Sequence, residues 1–304
     1  MEPFRIHILG CGSALPTLKH YASSQVIEMR EKLFMIDCGE GTQMQLRRSR
    51  IRFTKISAVF LSHIHGDHCF GLIGMISTFG MLGRTAPLNI YAPCEFKPML
   101  DSMIKMFCFG LGYDIIFHAV DTKENKVIYE DRSLTVTTLP LIHRVPCCGF
   151  LFKEKPTLPH IRRDMIDFYH IPESQRNNIK NGADWKTEDG DIIPNSKLTT
   201  VADPVRSYAY CSDTKYIPGL HNLIKDTNVV YHESTYGDDN QEMASTYCHS
   251  TARQAAMVAR DANAGKLVLG HYSSRYEDET VLLNEAKEIF DNTILSDEMK
   301  IIEI

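Results

Sequence analysis

The chain reads as a mixed α/β protein, with strands in both halves and helices interspersed. Short apolar runs, many of them β-branched and bounded by turn residues, recur from Phe4 to the C-terminal end. Between them lie segments with apolar residues at helical spacing, best seen in 97–107, 251–262 and 279–290. With 304 residues the chain can bury a substantial core, as one large domain or two smaller ones.

The elements follow in order. Strands are expected at 4–9, 25–29 and 32–36, the last two joined by the polar turn Arg30-Glu31. The break Asp37-Cys38-Gly39-Glu40-Gly41-Thr42 precedes a helix at 43–48, and 57–61 is a buried strand. Helical spacing predicts 72–82 and 97–107, with a strand at 88–91 between them. Strands follow at 114–120, 126–129, 134–139 and 149–152. From Lys153 to Asp203 the chain turns polar, carries Pro156, Pro159, Pro172 and Pro194, and resists assignment to core elements. A stretch this long is read as an inserted arm. Beyond it come strands at 207–211, 229–231 and 266–270, and a final one beginning near 300–302. Helices are expected at 217–225, 251–262 and 279–290, with Ser250 or Thr251 near the N-cap of the second.

Composition narrows the class. Hydrophobic residues make up 43% and charged residues 23%, ordinary for a globular protein. A net charge of −5 does not advertise a nucleic-acid binder, so any RNA contact needs local basic patches. The nine cysteines are odd in number and show no CxxC spacing, which predicts reduced thiols and a cytoplasmic location. The polar start Met1-Glu2-Pro3 is unlike a signal peptide, and no apolar run is long enough to span a bilayer.

The chemistry is concentrated in Ser62-His63-Ile64-His65-Gly66-Asp67-His68, directly after a buried strand. Three imidazoles and a carboxylate suit zinc and its neighbours in the first transition row. They cannot complete two coordination shells alone. His143, Asp213 and His271 each stand where an apolar strand stops. Singly, each is a commonplace structural histidine or turn aspartate; beside a loop that demands partners, they read as the missing ligands. Two divalent ions sharing a carboxylate can share a water and lower its pKa to about 7, which serves phosphodiester hydrolysis.

At this point the motifs match a family. His63-Ile64-His65-Gly66-Asp67-His68 resembles the HxHxDH signature of the metallo-β-lactamase superfamily. Three later segments resemble those of ribonuclease Z, the endonuclease that trims the 3′ trailer from precursor tRNA: Tyr231-His232-Glu233-Ser234-Thr235, Tyr247-Cys248-His249-Ser250-Thr251, and Gly270-His271-Tyr272-Ser273-Ser274-Arg275-Tyr276. The resemblance runs from Gly10 to about Tyr276.

It implies an αββα sandwich, a single domain spanning 1–304, with 153–203 as an inserted arm that clasps tRNA. It implies two zinc ions per subunit, with manganese as a possible substitute. His63, His65 and His143 would hold one ion, and Asp67, His68 and His271 the other. Asp213 would bridge, and Asp37 would orient the site from behind the ligands. Asp67 would take the proton of the attacking water. His249, paired with Glu233, would protonate or stabilise the leaving 3′-oxygen; a buried structural hydrogen bond is the other reading of that pair. The resemblance also implies a homodimer with precursor tRNA as substrate. Arg275 is read equally well as a phosphate contact or as the partner of a structural carboxylate.

The chain departs from the family in three places. Lys19-His20 stands where Arg-Asn is usual, leaving one positive charge near the RNA end. Cys211-Ser212-Asp213-Thr214 replaces the usual Thr-Gly-Asp-Thr but keeps the ligand. The arm lacks a Gly-Pro tip, and its bases are balanced by acids, which makes a weak electrostatic claw. A better basic patch is Arg47-Arg48-Ser49-Arg50-Ile51-Arg52, read as a phosphate contact or a solvated helix end. Two rival functions remain open: another phosphodiesterase on the same scaffold, acting on a small substrate, and a non-catalytic metal-stabilised RNA-binding protein.

Overall fold

The computed structural model describes residues 2–304. Two compact units result, one formed by 2–153 with 206–304 and one by 154–205.

The larger unit contains, in chain order, β1 (Phe4–Gly10), β2 (Ser24–Met29), β3 (Lys32–Cys38), β4 (Ile56–Phe60), β5 (Leu88–Pro93), β6 (Ile115–Val120) and β7 (Val127–Glu130). There follow β8 (Leu134–Pro140), β9 (Cys148–Glu154), β10 (Ser207–Cys211), β11 (Val229–Glu233), β12 (Lys266–Gly270), β13 (Thr293–Leu295) and β14 (Ile301–Glu303). They form two seven-stranded sheets, ordered β14-β1-β2-β3-β4-β5-β6 and β13-β12-β11-β10-β9-β8-β7. Pairing is mixed: β3 to β6 run parallel, as do β10 to β13, while β1–β2–β3 and β7–β8 are antiparallel.

Side-chain alternation along the strands makes the layers. In β1, β3 and β4, Ile6, Ile8, Phe34, Ile36, Ala58 and Phe60 point into one core, shared with Phe150, Phe152, Tyr208 and Tyr210 of the second sheet. Ring contacts cross the gap, with Phe34 and Phe152 centred 5.9 Å apart and Phe60 and Phe150 5.5 Å apart. The opposite face of the same sheet offers Val26, Met35 and Val59 to the helices Leu72–Met81 and Phe96–Phe107. The helix Ala252–Asp261 lays its alanine-rich face on the second sheet. The architecture is therefore the expected α/β/β/α sandwich.

Most elements fall within a residue or two of expectation. Thr251 caps Ala252–Asp261 with a full capping box to Gln254. The helix expected at 217–225 shrinks to the single turn Leu220–Leu223, starting only after Pro218-Gly219. The strand Thr293–Leu295 and the helix Gln241–Tyr247 had no clear periodicity in the sequence.

The unit 154–205 has its own small core of Ile171, Ile179 and Leu198, packed against Ile161, Met165 and Trp185. Its helices Arg163–Phe168, Glu173–Lys180 and Asn195–Leu198 accompany two-residue strand pairs. Strands that short carry no readable period, so this stretch resisted assignment from sequence.

Candidate metal centre

The site is built at strand ends. β4 stops just before Ser62 and His63, and a one-turn helix, Gly66–Cys69, carries Asp67 and His68. β10, β11 and β12 lie parallel, with Cys211 beside His232 and Glu233 beside Gly270. Their carboxyl ends are thus in line, so Asp213, Glu233 and His271 meet although they are distant in sequence. His143 arrives after β8. Asp37, Asp213, Cys248 and His271 all have positive φ between 53° and 59°. Non-glycine residues pay for that conformation, and such strain gathers at functional sites. Two glycines admit close approach: a Cβ on Gly39 would lie 2.3 Å from the Asp67 carbonyl, and one on Gly71 2.1 Å from that of Gly39.

All seven expected ligands come together. His63, His65, His143 and Asp213 form one group and Asp67, His68, Asp213 and His271 another, the ligand atoms of each lying within 4.8 Å of one another. In the first, His65 Nδ1 stands 3.1 Å from His63 Nε2 and 3.2 Å from His143 Nε2. Asp213 Oδ2 faces this group, 3.5 Å from His63 Nε2. Its Oδ1 faces the second group, 2.9 Å from His271 Nε2 and 3.4 Å from His68 Nε2. Asp67 Oδ2 lies 3.4 Å from His68 Nε2. One carboxylate therefore offers an oxygen to each group.

Behind these atoms the rings are anchored. His68 Nδ1 bonds Asp37 Oδ2 at 2.7 Å, and Asp37 in turn accepts from Ser62 N and the Tyr210 hydroxyl, both at 2.8 Å. His63 Nδ1 meets Ser62 Oγ at 2.9 Å, His143 Nδ1 donates to the Cys248 carbonyl at 3.1 Å, and His271 Nδ1 meets Thr235 Oγ1 at 2.9 Å. These contacts set the tautomer and leave the other nitrogen directed inward. Nothing in the sequence marks Ser62, Tyr210 and Thr235 for these contacts, since a hydroxyl behind a candidate ligand carries no spacing signal.

These residues fit metal ions. Four ligands at about 2.0–2.1 Å from zinc in a tetrahedron stand about 3.3 Å apart, close to the separations seen. His68 Nε2 is buried with no hydrogen-bond partner, a costly state that a metal resolves. Without metal the electrostatics are severe. Burial holds the His63 and His143 imidazoles below their usual range. Burial also opposes charge on His271, but Asp213 and Asp67 push its pKa up to about 10. Asp213 is held well below the carboxylate range: burial works against its ionisation, and His271, His68 and His63 overcome it.

Beside the two groups sits the second pair. Glu233 is fully buried, and its Oε1 lies 2.9 Å from His249 Nδ1. The carboxylate also accepts from Thr214 N and Thr235 Oγ1, each at 2.6 Å, and Ser250 N at 3.1 Å. Burial disfavours the imidazolium of His249, but the Glu233 charge and hydrogen bond win and raise its pKa. The His249 ring lies 5.2 Å from that of His143 and 5.5 Å from that of His271. His65, Asp67, His143, Asp213, His249 and His271 line a cavity of about 1020 Å³, whose wall also includes Thr17, Phe70, Arg144, Tyr247 and Arg275.

The peripheral expectations fare differently. The Lys19 ammonium is half-exposed but is not a spare charge; it pairs with Glu279 and donates to the Glu277 carbonyl at 2.8 Å. His20 is held between Glu279 Oε1 at 3.2 Å and Glu298 Oε2 at 2.9 Å. Arg48 is engaged with the Tyr21 hydroxyl and Gln45 Oε1, both at 2.8 Å. The sequence shows no sign of Glu279 or Glu298, since each lies more than 250 residues from the loop it holds.

Fold and site together define a metal-dependent hydrolase of the metallo-β-lactamase fold. Among solved structures, the chain resembles the short form of human tRNase Z, with TM-score 0.70, 22% identity and 98% of each chain covered. It resembles the metallo-β-lactamase-fold protein YhfI of Bacillus subtilis equally, with TM-score 0.70, 17% identity and full coverage of both. Residues 4–159 match the family described as anti-Pycsar protein Apyc1. Over 298 residues the chain is 54% identical to a ribonuclease Z of Bacteroides fragilis, covering 98% of both, and 45% identical to one of Porphyromonas gingivalis with the same coverage. The chain belongs to the ribonuclease Z family.

Proposed function

We propose that this chain removes the 3′ trailer of precursor tRNA by two-metal phosphodiester hydrolysis, leaving a 3′-hydroxyl, with two zinc ions per subunit or manganese in their place. Family membership makes it a metal-dependent endoribonuclease acting in tRNA 3′ processing. The observation that carries the mechanism is the Asp213 carboxylate, one oxygen turned to each histidine group, with the Glu233–His249 pair alongside.

His63, His65 and His143 would hold one ion and Asp67, His68 and His271 the other, with Asp213 shared. Bound there, the ions supply a hydroxide at neutral pH and neutralise charge on the phosphoryl oxygens. Asp67 accepts the proton of the attacking water. His249, whose pKa is raised by the Glu233 charge and hydrogen bond, gives its Nε2 proton to the leaving 3′-oxygen. Asp37 holds His68 in place. In the same reading the unit 154–205 grips the tRNA, the enzyme is a homodimer, and its cysteines, all free, suit the cytoplasm. No helix among the described residues is long and apolar enough to cross a membrane.

Cleavage of precursor tRNA by His65→Ala and Asp67→Ala, with zinc or manganese added, tests this. Both variants should leave the precursor intact. Wild-type turnover of bis(p-nitrophenyl) phosphate with intact precursor would point instead to a small-substrate phosphodiesterase. Tight binding of precursor with no turnover would point to a non-catalytic RNA-binding protein.

A further inference from the structure

We propose that Arg144, braced on Tyr247, binds a backbone phosphate of the precursor on the leaving-oxygen side of the cut. The inference rests on the ribonuclease reading and adds a substrate contact that the ligand set does not supply.

Arg144 follows His143 directly, and its guanidinium carbon lies 5.0 Å from the centre of the Tyr247 ring. Tyr247 stands two residues before His249, whose ring is 5.2 Å from that of His143. Arg144 and Tyr247 therefore flank the imidazole placed to protonate the leaving oxygen, and both line the cavity. Both are exposed, Tyr247 at 40%.

The cavity has an electrostatic problem that this pair answers. Its floor carries Asp67 and Asp213, with Glu233 close behind, and the chain is net negative. A polyanion needs cations at the mouth to enter. Lys19 is taken up by Glu279, and Arg48 is engaged with Tyr21 and Gln45. Arg144 and Arg275, both on the cavity wall, pair with no carboxylate among the described residues, and of the two Arg144 is the one braced on an aromatic face. A cation over a ring face is steadied there without spending its N–H groups on a carboxylate, which leaves them to a phosphate. A tyrosine face does not neutralise the charge, as a carboxylate would.

The test is single-turnover cleavage and salt-dependent binding with wild type, Arg144→Ala, Arg144→Lys and Tyr247→Ala. It uses a normal precursor and one carrying a neutral methylphosphonate in the linkage immediately 5′ of the cut. Loss of one charged contact should lower kcat/KM by about 10- to 100-fold in Arg144→Ala, mainly through KM. The slope of log binding constant against log salt should become shallower by about 0.7, the share of one phosphate on a single strand. Arg144→Lys should fall between, and Tyr247→Ala should move the same way by less. The methylphosphonate should cost wild type the same factor and cost Arg144→Ala nothing further. Independent, multiplying losses would overturn the assignment, as would an Arg144→Ala enzyme with wild-type kcat/KM and salt slope. A wild type that leaves both precursors intact would instead sink the ribonuclease reading itself, and this contact with it.

Discussion

Replacing Glu233 by glutamine keeps shape and removes charge, so it isolates what the carboxylate does. The buried group accepts from Thr214 N and His249 Nδ1 on one oxygen, and from Ser250 N and Thr235 Oγ1 on the other. An amide nitrogen on either side faces a backbone N–H that cannot turn away. At least one buried donor is left unpaired, at a cost of about 1–3 kcal/mol. The second effect is on His249. Its pKa is raised because Glu233 outweighs burial, so the wild-type imidazole stays charged to higher pH than a free histidine. The sign follows for stability: the pair contributes fully below the ordinary histidine pKa and is lost as pH rises through the raised one. In Glu233→Gln burial remains without its counterweight, and the proton leaves at lower pH. Single-turnover cleavage across pH should therefore show an alkaline limb displaced to lower pH, with a plateau reduced by about 10²- to 10⁴-fold if His249 is the general acid. A variant that cleaves at the wild-type rate, with its alkaline limb unmoved, would refute the acid role and leave Glu233–His249 as a structural hydrogen bond.

Other perturbations read separate parts of the account. Gly39→Ala drives a methyl into the Asp67 carbonyl, and should cost about 1–3 kcal/mol in thermal unfolding and lower bound metal per chain. Asp37→Asn loosens His68 without removing a ligand, so metal titration should show about 10- to 100-fold weaker binding. Lys19→Ala breaks a partly exposed ion pair with Glu279, so unfolding should shift by no more than about 1 kcal/mol. The salt slope of tRNA binding in that variant should be unchanged, because the charge is already spoken for.

Much of the site was legible because the candidate ligands sit where apolar strands end. The runs before His63, Asp213 and His271 are read from hydrophobicity alone, and parallel pairing then brings their ends into line. What stayed hidden has physical reasons. Ser62, Thr235 and Tyr210 act through a hydroxyl that any surface residue also carries. Glu279 and Glu298 reach Lys19 and His20 across the whole length of the chain. Arg144 carries no spacing signal, and only the fold sets it over the Tyr247 ring. The segment 154–205 defeated periodicity because its strands are two residues long.

The central claim is that two metal groups and one acid–imidazole pair cut precursor tRNA at its 3′ side. Mapping both product ends after incubation of a precursor tRNA with the zinc-loaded protein tests it most directly. The account predicts a tRNA ending in a 3′-hydroxyl, a trailer beginning with a 5′-phosphate, and no products from His65→Ala or Asp67→Ala. Products with a 2′,3′-cyclic phosphate, or equal cleavage by those variants, would contradict it.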